Sequence, residues 1–122
     1  MGTTGLETAF AALHTGLVVP GTLELGTLVE RMTAGAAVYD LPVPGIAAGE
    51  PANLVLVDPN ARWTVEPSKM ATMGRNSPFA GRELPGAVKA TFFGGHPTVL
   101  DGVLNTPRRF GGDFGGIFGG EY

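Results

Sequence analysis

Proline and glycine interrupt this chain at short intervals from Pro42 onward, in the order Pro42, Pro44, Gly45, Gly49 and Pro51. Each of these residues stops or bends regular structure, so long helices are excluded from this part of the sequence. The residues before Pro42 follow a different, helical pattern. The sequence therefore predicts helices first and short strands afterwards.

Apolar residues in the first part recur at i, i+4, i+7 and i+11, namely at Leu6, Phe10, Leu13 and Leu17. This spacing places them on one face of a helix that ends at Pro20-Gly21. Thr4 and Glu7 stand at the spacing of a capping box, so we expect each to bond to the other's backbone. A second helix is predicted from about residue 23 to 33, and the small residues 34 to 37 extend it or begin a third.

The later part contains three candidate strands. Residues 53 to 58 form an apolar run bounded by polar residues, which is typical of a strand covered on both faces. Pro59-Asn60 predicts a turn, and a short return strand is expected from Arg62 to Val65. Residues 87 to 93 and 96 to 100 flank Gly94-Gly95, which predicts a β-hairpin.

Composition excludes several classes of protein. The chain has 122 residues, a net charge of −3 and no cysteine, so one modest domain without disulfides or thiolate metal sites is expected. It carries no basic stripe, which argues against a nucleic-acid partner. Its longest apolar stretch is too short for a membrane span, and its first residues lack the layout of a signal peptide. A cytoplasmic protein is expected.

Chemical groups are sparse and scattered along the sequence. Zinc needs three or four converging ligands, whereas the chain has two histidines, His14 and His96, which we interpret as surface or boundary residues. Glu7 is explained by its capping role, and Asp58 by the turn that follows it. The polar segment 75–79 suggests a binding loop, but its Asn-Ser-Pro sequence favours a turn, with the phenylalanine filling the fold. No catalytic and no metal-binding residue is predicted.

Three stretches carry a family resemblance: GTTGLETAF at 2–10, GIAAGEPANLVLVD at 45–58 and RNSPFAGRELPGAV at 75–88. Together they resemble the C-terminal part of bacterial type I dihydroorotases, which are zinc-dependent amidohydrolases. The resemblance covers roughly residues 2 to 101. The third stretch is the one most similar to dihydroorotases in particular. Allantoinases and dihydropyrimidinases carry related segments, so these two families remain alternatives.

The resemblance implies an α/β fold that is part of a larger one. Residues 2–40 correspond to the terminal helices of a (β/α)₈ barrel, and residues 41–102 to the C-terminal part of a small β-rich, sandwich-like domain. Residues 103–122 lie beyond the resemblance, and their three Phe-Gly-Gly units predict a flexible tail, because paired glycines make ordering costly.

The resemblance also implies a function. Dihydroorotases interconvert N-carbamoyl-L-aspartate and L-dihydroorotate in pyrimidine biosynthesis, with zinc ligands that precede the position of Gly2. Only Gly2 is carried over as a substrate contact, through its backbone N–H. The chain alone is therefore expected to bind no cofactor and to be inactive, with the missing barrel portion or another copy of itself as a partner. The alternatives are a fragment of an allantoinase-like or dihydropyrimidinase-like enzyme, and a non-catalytic structural or interaction module.

Overall fold

The computed structural model describes residues 2 to 43 and 45 to 105. They form a mixed structure of helices followed by an antiparallel sheet. The helical part consists of a 3₁₀ turn (Leu6–Thr8), α1 (Ala9–Leu13), a π-helical turn (His14–Val18), α2 (Leu25–Thr33) and α3 (Gly35–Val38). We refer to the continuous run from 6 to 18 as the N-terminal helix.

The sheet has four strands in the order β1-β2-β3-β4, each antiparallel to its neighbour. Their bounds are β1 (Leu54–Thr64), β2 (Glu83–Phe93), β3 (His96–Leu100) and β4 (Val103–Leu104), with a 3₁₀ turn (Pro67–Lys69) between β1 and β2. Among the described residues, no helix has the length and apolarity needed to cross a membrane.

The N-terminal helix begins without the predicted capping box. Gly5 precedes its first turn, and no side chain caps that end. The Glu7 carboxylate instead accepts the backbone N–H groups of Ala71 and Thr72, at 3.2 and 2.9 Å. The prediction was wrong because these partners, more than sixty positions away in sequence, compete for the carboxylate that the capping box would use.

The N-terminal helix packs against β2 through Phe10, one member of the predicted apolar stripe, and through buried small and polar residues. Thr8, Ala11 and His14 are buried at this contact, whereas Leu6 is 91% exposed. The close approach depends on Gly86 of β2, where an added Cβ would lie 3.1 Å from the Phe10 ring. The helix therefore comes closest to the sheet at Gly86, where β2 has no side chain.

The core lies between this helix, the sheet and the loop that joins β1 to β2. Its buried members are Ala11, Val65, Met70 and Leu84, against which Trp63 and Phe79 pack. Val65 is fully buried, and its backbone is paired on both sides, since its N–H donates to Arg82 and its carbonyl accepts from Gly81. The loop is thus fastened to the core at both of its ends.

The predicted turn at Pro59-Asn60 is a bulge within one long strand. β1 continues from Leu54 to Thr64 beside β2, with irregular pairing between Asp58 and Arg62. The Asp58 carboxylate accepts the N–H groups of Asn60 and Ala61, at 2.9 and 3.0 Å, and these bonds hold the pKa of Asp58 below its usual range. The prediction of a return strand from Arg62 to Val65 was wrong, because the chain keeps its direction through the bulge.

Two further strand predictions had different outcomes. The hairpin on Gly94-Gly95 is confirmed, with both glycines at positive φ and flanked by β2 and β3. The prediction that residues 53–58 are covered on both faces is wrong for the described chain, because Val55 and Leu56 are exposed on β1.

The first two residues of the predicted tail, 103 and 104, are part of the sheet. Val103 and Leu104 form β4, which pairs with β3, and the Asn105 N–H donates to the Thr98 carbonyl. The remainder of the predicted tail, 106 to 122, lies outside the described residues.

Candidate functional site

Gly2 is exposed at the start of the described chain, in a segment that another loop holds in place. Its carbonyl accepts a hydrogen bond of 3.0 Å from Nδ2 of Asn76. The Asn76 carbonyl in turn accepts the Thr4 N–H, also at 3.0 Å. Asn76 therefore bonds to the backbone on both sides of Thr3.

A second pair of bonds joins the same two segments one helical turn further along. The Glu7 carboxylate accepts the N–H groups of Ala71 and Thr72. We call these four bonds, between residues 2–7 and 71–76, the N-terminal clasp. They fix the path of residues 2 to 7 against the loop that leaves the core at Met70.

Arg75 organises the loop side of the clasp. One guanidinium nitrogen, Nη1, lies 2.8, 3.2 and 2.7 Å from the carbonyl oxygens of Pro67, Met70 and Thr72. A cation that gathers several carbonyls in this way stabilises a loop that has no regular ladder of its own. Arg75 thus shapes the segment that presents Asn76.

The second half of the 75–79 segment serves the fold, as predicted. The Phe79 N–H donates to Oγ of Ser77 at 3.3 Å, which is a local turn bond. The Phe79 ring packs against the core, with the Arg82 guanidinium 6.0 Å from its centroid. The segment therefore combines a core anchor with the clasp residue Asn76.

The two histidines differ in their surroundings. His14 is only 6% exposed, stacks on Phe10 with ring centroids 5.8 Å apart, and has a buried Nδ1 without a hydrogen-bond partner. Its interpretation as a surface or boundary residue was wrong, because Gly86 lets the helix approach β2 closely enough to enclose the ring. His96 is exposed at the first position of β3.

No metal site is formed by the residues that the structure describes, since no three His, Asp or Glu side chains converge there. The carboxylates singled out by sequence have structural partners instead, Glu7 in the clasp and Asp58 in the bulge. The two serines are also separate, because Ser68 lies in the exposed 3₁₀ turn and Ser77 in the turn before Phe79.

A shallow cleft of about 210 Å³ lies beside the clasp, lined by Glu7, Trp63, Thr64, Glu66, Lys69, Met70 and Gly102. Its charged side chains already have partners, because Lys69 pairs with Glu66 at 2.9 Å and Glu7 accepts two backbone N–H groups. The cleft therefore presents no free acid–base pair.

Sequence reasoning missed the contact between Gly2 and Asn76. The two residues are 74 positions apart, and no local spacing rule connects them. The only signal was the concentration of polar groups in 75–79, which turn chemistry explained equally well.

The chain matches no family model, but it is similar to several curated proteins. It is 41% identical over 110 residues to the dihydroorotase of Streptomyces coelicolor, a match that covers 85% of this chain and 25% of the relative. The dihydroorotase of Anaeromyxobacter dehalogenans is 43% identical over 95 residues, covering 77% and 22%. That of Mycobacterium tuberculosis is 38% identical over 106 residues, covering 84% and 25%.

The matched part includes most of this chain but a small part of each relative. The chain spans about a quarter of the length of the curated relatives it matches. The similarity confirms the resemblance that the three sequence stretches indicated. By sequence, this chain corresponds to a segment of the bacterial dihydroorotases.

Proposed function

We propose that this chain supplies the C-terminal segment of a dihydroorotase, an enzyme that opens and closes a cyclic amide between L-dihydroorotate and N-carbamoyl-L-aspartate. The observation that carries the proposal is the identity of 38 to 43% to three dihydroorotases over at least 77% of the chain. The relatives reported above are all dihydroorotases, which supports this family over allantoinases and dihydropyrimidinases. The setting would be the cytoplasm and the pathway pyrimidine biosynthesis.

The chain's own contribution to substrate binding would be the backbone of Gly2. Its N–H would donate to the pyrimidine ring of the substrate. Support comes from its exposure and from the clasp, which holds the neighbouring carbonyl while leaving space around Cα, since an added Cβ would meet nothing within 4 Å. An exposed backbone donor on a fixed segment can orient a ring without any side chain.

The metal of the reaction would be held outside the described residues. Zinc requires three or four converging ligands, and the described part of the chain offers no such group. The buried His14 and the exposed His96 do not fit a shared site, so no step of the reaction is assigned to either.

The helices would cover the end of a (β/α)₈ barrel. Support comes from the apolar side chains that they leave exposed, including Leu6, Leu13, Val29 and Met32. Apolar patches of this kind mark surfaces that bind another protein segment. The remainder of a dihydroorotase is the partner that the sequence similarity favours.

The proposal predicts that the chain restores activity when it completes a relative. Residues 2–105 would replace the matching segment of the Streptomyces coelicolor dihydroorotase, and hydrolysis of L-dihydroorotate would be measured. We expect activity within about tenfold of the intact relative, since a misplacement of the segment would cost on the order of a hundredfold. The relative without its segment, and this chain by itself, are expected to be inactive.

Two outcomes would count against the proposal. A fusion that folds and binds metal but hydrolyses no L-dihydroorotate would overturn it. Hydrolysis of allantoin or of a dihydropyrimidine by the fusion, in preference to L-dihydroorotate, would assign the segment to a neighbouring cyclic-amide enzyme.

A further inference from the structure

We propose that Asn76 is a positioning residue that sets the direction of the Gly2 backbone toward a cyclic-amide substrate. The inference rests on the proposed function, because it concerns the same Gly2 contact. In this proposal the Asn76 side chain, 74 positions away in sequence, restrains the backbone of Gly2 through its bond to the Gly2 carbonyl.

The segment at Gly2 has little restraint of its own. Gly2 has no side chain, and glycine loses more conformational entropy on ordering than any other residue. An added Cβ at Gly2 would contact nothing within 4 Å, so packing does not restrain it. Among the interactions that the structure describes, its restraint comes from the 3.0 Å bond to Nδ2 of Asn76.

Asn76 restrains this segment at two backbone groups. The Gly2 carbonyl bonds to the Asn76 side chain, and the Thr4 N–H bonds to the Asn76 carbonyl. With the carbonyl held, only the two torsions of Gly2 itself, φ and ψ, separate it from the N–H that would meet the substrate. Asn76 therefore anchors the residue that carries this donor and limits the directions in which it can point.

Neighbouring residues hold Asn76 itself in place. Nη1 of Arg75 bonds to three loop carbonyls, and the Phe79 ring packs against the buried core. Asn76 stands between these two anchors. Its position is thus fixed from the core outward, which is the arrangement that keeps a binding group in place.

The amide group of Asn76 is essential to its bond with the Gly2 carbonyl. An amide can donate to a carbonyl, whereas a carboxylate of the same shape can only accept. Asn76→Asp therefore replaces an attraction to the Gly2 carbonyl by a repulsion while retaining the size of the residue and the backbone bond to Thr4. Asn105 provides a matched control, because its Nδ2 also donates to a backbone carbonyl, that of Pro97, at 2.9 Å from an exposed position.

The first arm of the test uses the full chain and NMR hydrogen exchange. Asn76→Asp removes the bond from Nδ2 to the Gly2 carbonyl, which holds the segment that carries Thr4. We expect exchange of the Thr4 amide to become about 2- to 10-fold faster, the effect of losing one ordinary hydrogen bond. Exchange of the β2 amides should be unchanged. Asn105→Asp should leave Thr4 exchange as it is. Equal Thr4 exchange in the two variants would show that Asn76 does not hold the segment and would overturn the proposal.

The second arm uses the fusion described above and separates positioning from general stability. Asn76→Asp is expected to raise KM for L-dihydroorotate about 2- to 10-fold, with kcat and metal content unchanged. Asn105→Asp should alter neither constant. An unchanged KM in the Asn76 variant would overturn the proposal even if exchange responds. An unsubstituted fusion that folds and binds metal but is inactive would overturn the proposed function itself.

Discussion

Gly86→Ala is expected to lower the Tm of the chain by at least about 8 °C. Gly86 has φ of +96°, where an L-residue is strained by about 1 kcal/mol or more. The new methyl group would also lie 3.1 Å from the Phe10 ring, and overpacking of this kind costs about 1 to 3 kcal/mol. For a body of this size each kcal/mol corresponds to roughly 4 to 8 °C.

Gly49→Ala is the matched control for this prediction. Gly49 has a similar φ of +92°, but an added Cβ there meets nothing within 4 Å. Only the backbone strain should affect this variant, so we expect its free energy of unfolding to fall by about 1 kcal/mol. Thermal unfolding followed by circular dichroism measures both variants. Equal losses would mean that the N-terminal helix does not approach β2 at Gly86.

Leu84→Ala is expected to have a comparably large effect on stability. Leu84 is 4% exposed and belongs to the small buried core. Removing such a side chain leaves a cavity and costs about 2 to 5 kcal/mol, a large share of the 5 to 15 kcal/mol by which domains are typically stable. Many of the variant molecules should therefore be unfolded at 37 °C.

Leu56→Ala makes the same change of side chain on β1, where Leu56 is 50% exposed. We expect this substitution to cost less than about 1 kcal/mol, because about half of the Leu56 residue is already exposed to water in the folded chain. Chemical denaturation of both variants gives the comparison directly. If Leu56→Ala lowered the free energy of unfolding as much as Leu84→Ala, Leu56 would have to belong to the core, which would contradict its exposed position on β1.

The elements that sequence predicted correctly are those governed by neighbouring residues. Gly94 and Gly95 both adopt positive φ, which glycine allows without strain. The hairpin can therefore be predicted from these two adjacent residues. The N-terminal helix likewise follows from its apolar period, and it reaches Val18 before Pro20.

The elements that sequence missed depend on distant partners. Asp58 bonds to the next N–H groups as turn chemistry requires, yet pairing with β2 carries the chain onward instead of back. Glu7 has the spacing of a capping box, but two loop N–H groups compete successfully for its carboxylate. In both cases the local chemistry was identified correctly, and a contact across the fold decided its geometry.

In the candidate site, too, contacts between distant residues could not be predicted from sequence. Gly2 was selected through the resemblance alone, and its exposure left it available for that role. Its link to Asn76 could not be predicted, because neither residue carries a pattern that refers to the other. The burial of His14 was equally hidden, since it depends on the absence of a side chain at Gly86.

The measurement that tests the account most directly compares two substitutions at Gly2 in the fusion with the Streptomyces coelicolor dihydroorotase. Gly2→Pro removes the backbone N–H, whereas Gly2→Ala retains it and adds a methyl group that meets nothing within 4 Å. If Gly2 donates to the substrate, kcat/KM for L-dihydroorotate should fall roughly tenfold or more with proline and stay within about twofold with alanine. Equal activities of the two variants, at equal metal content and Tm, would contradict the account.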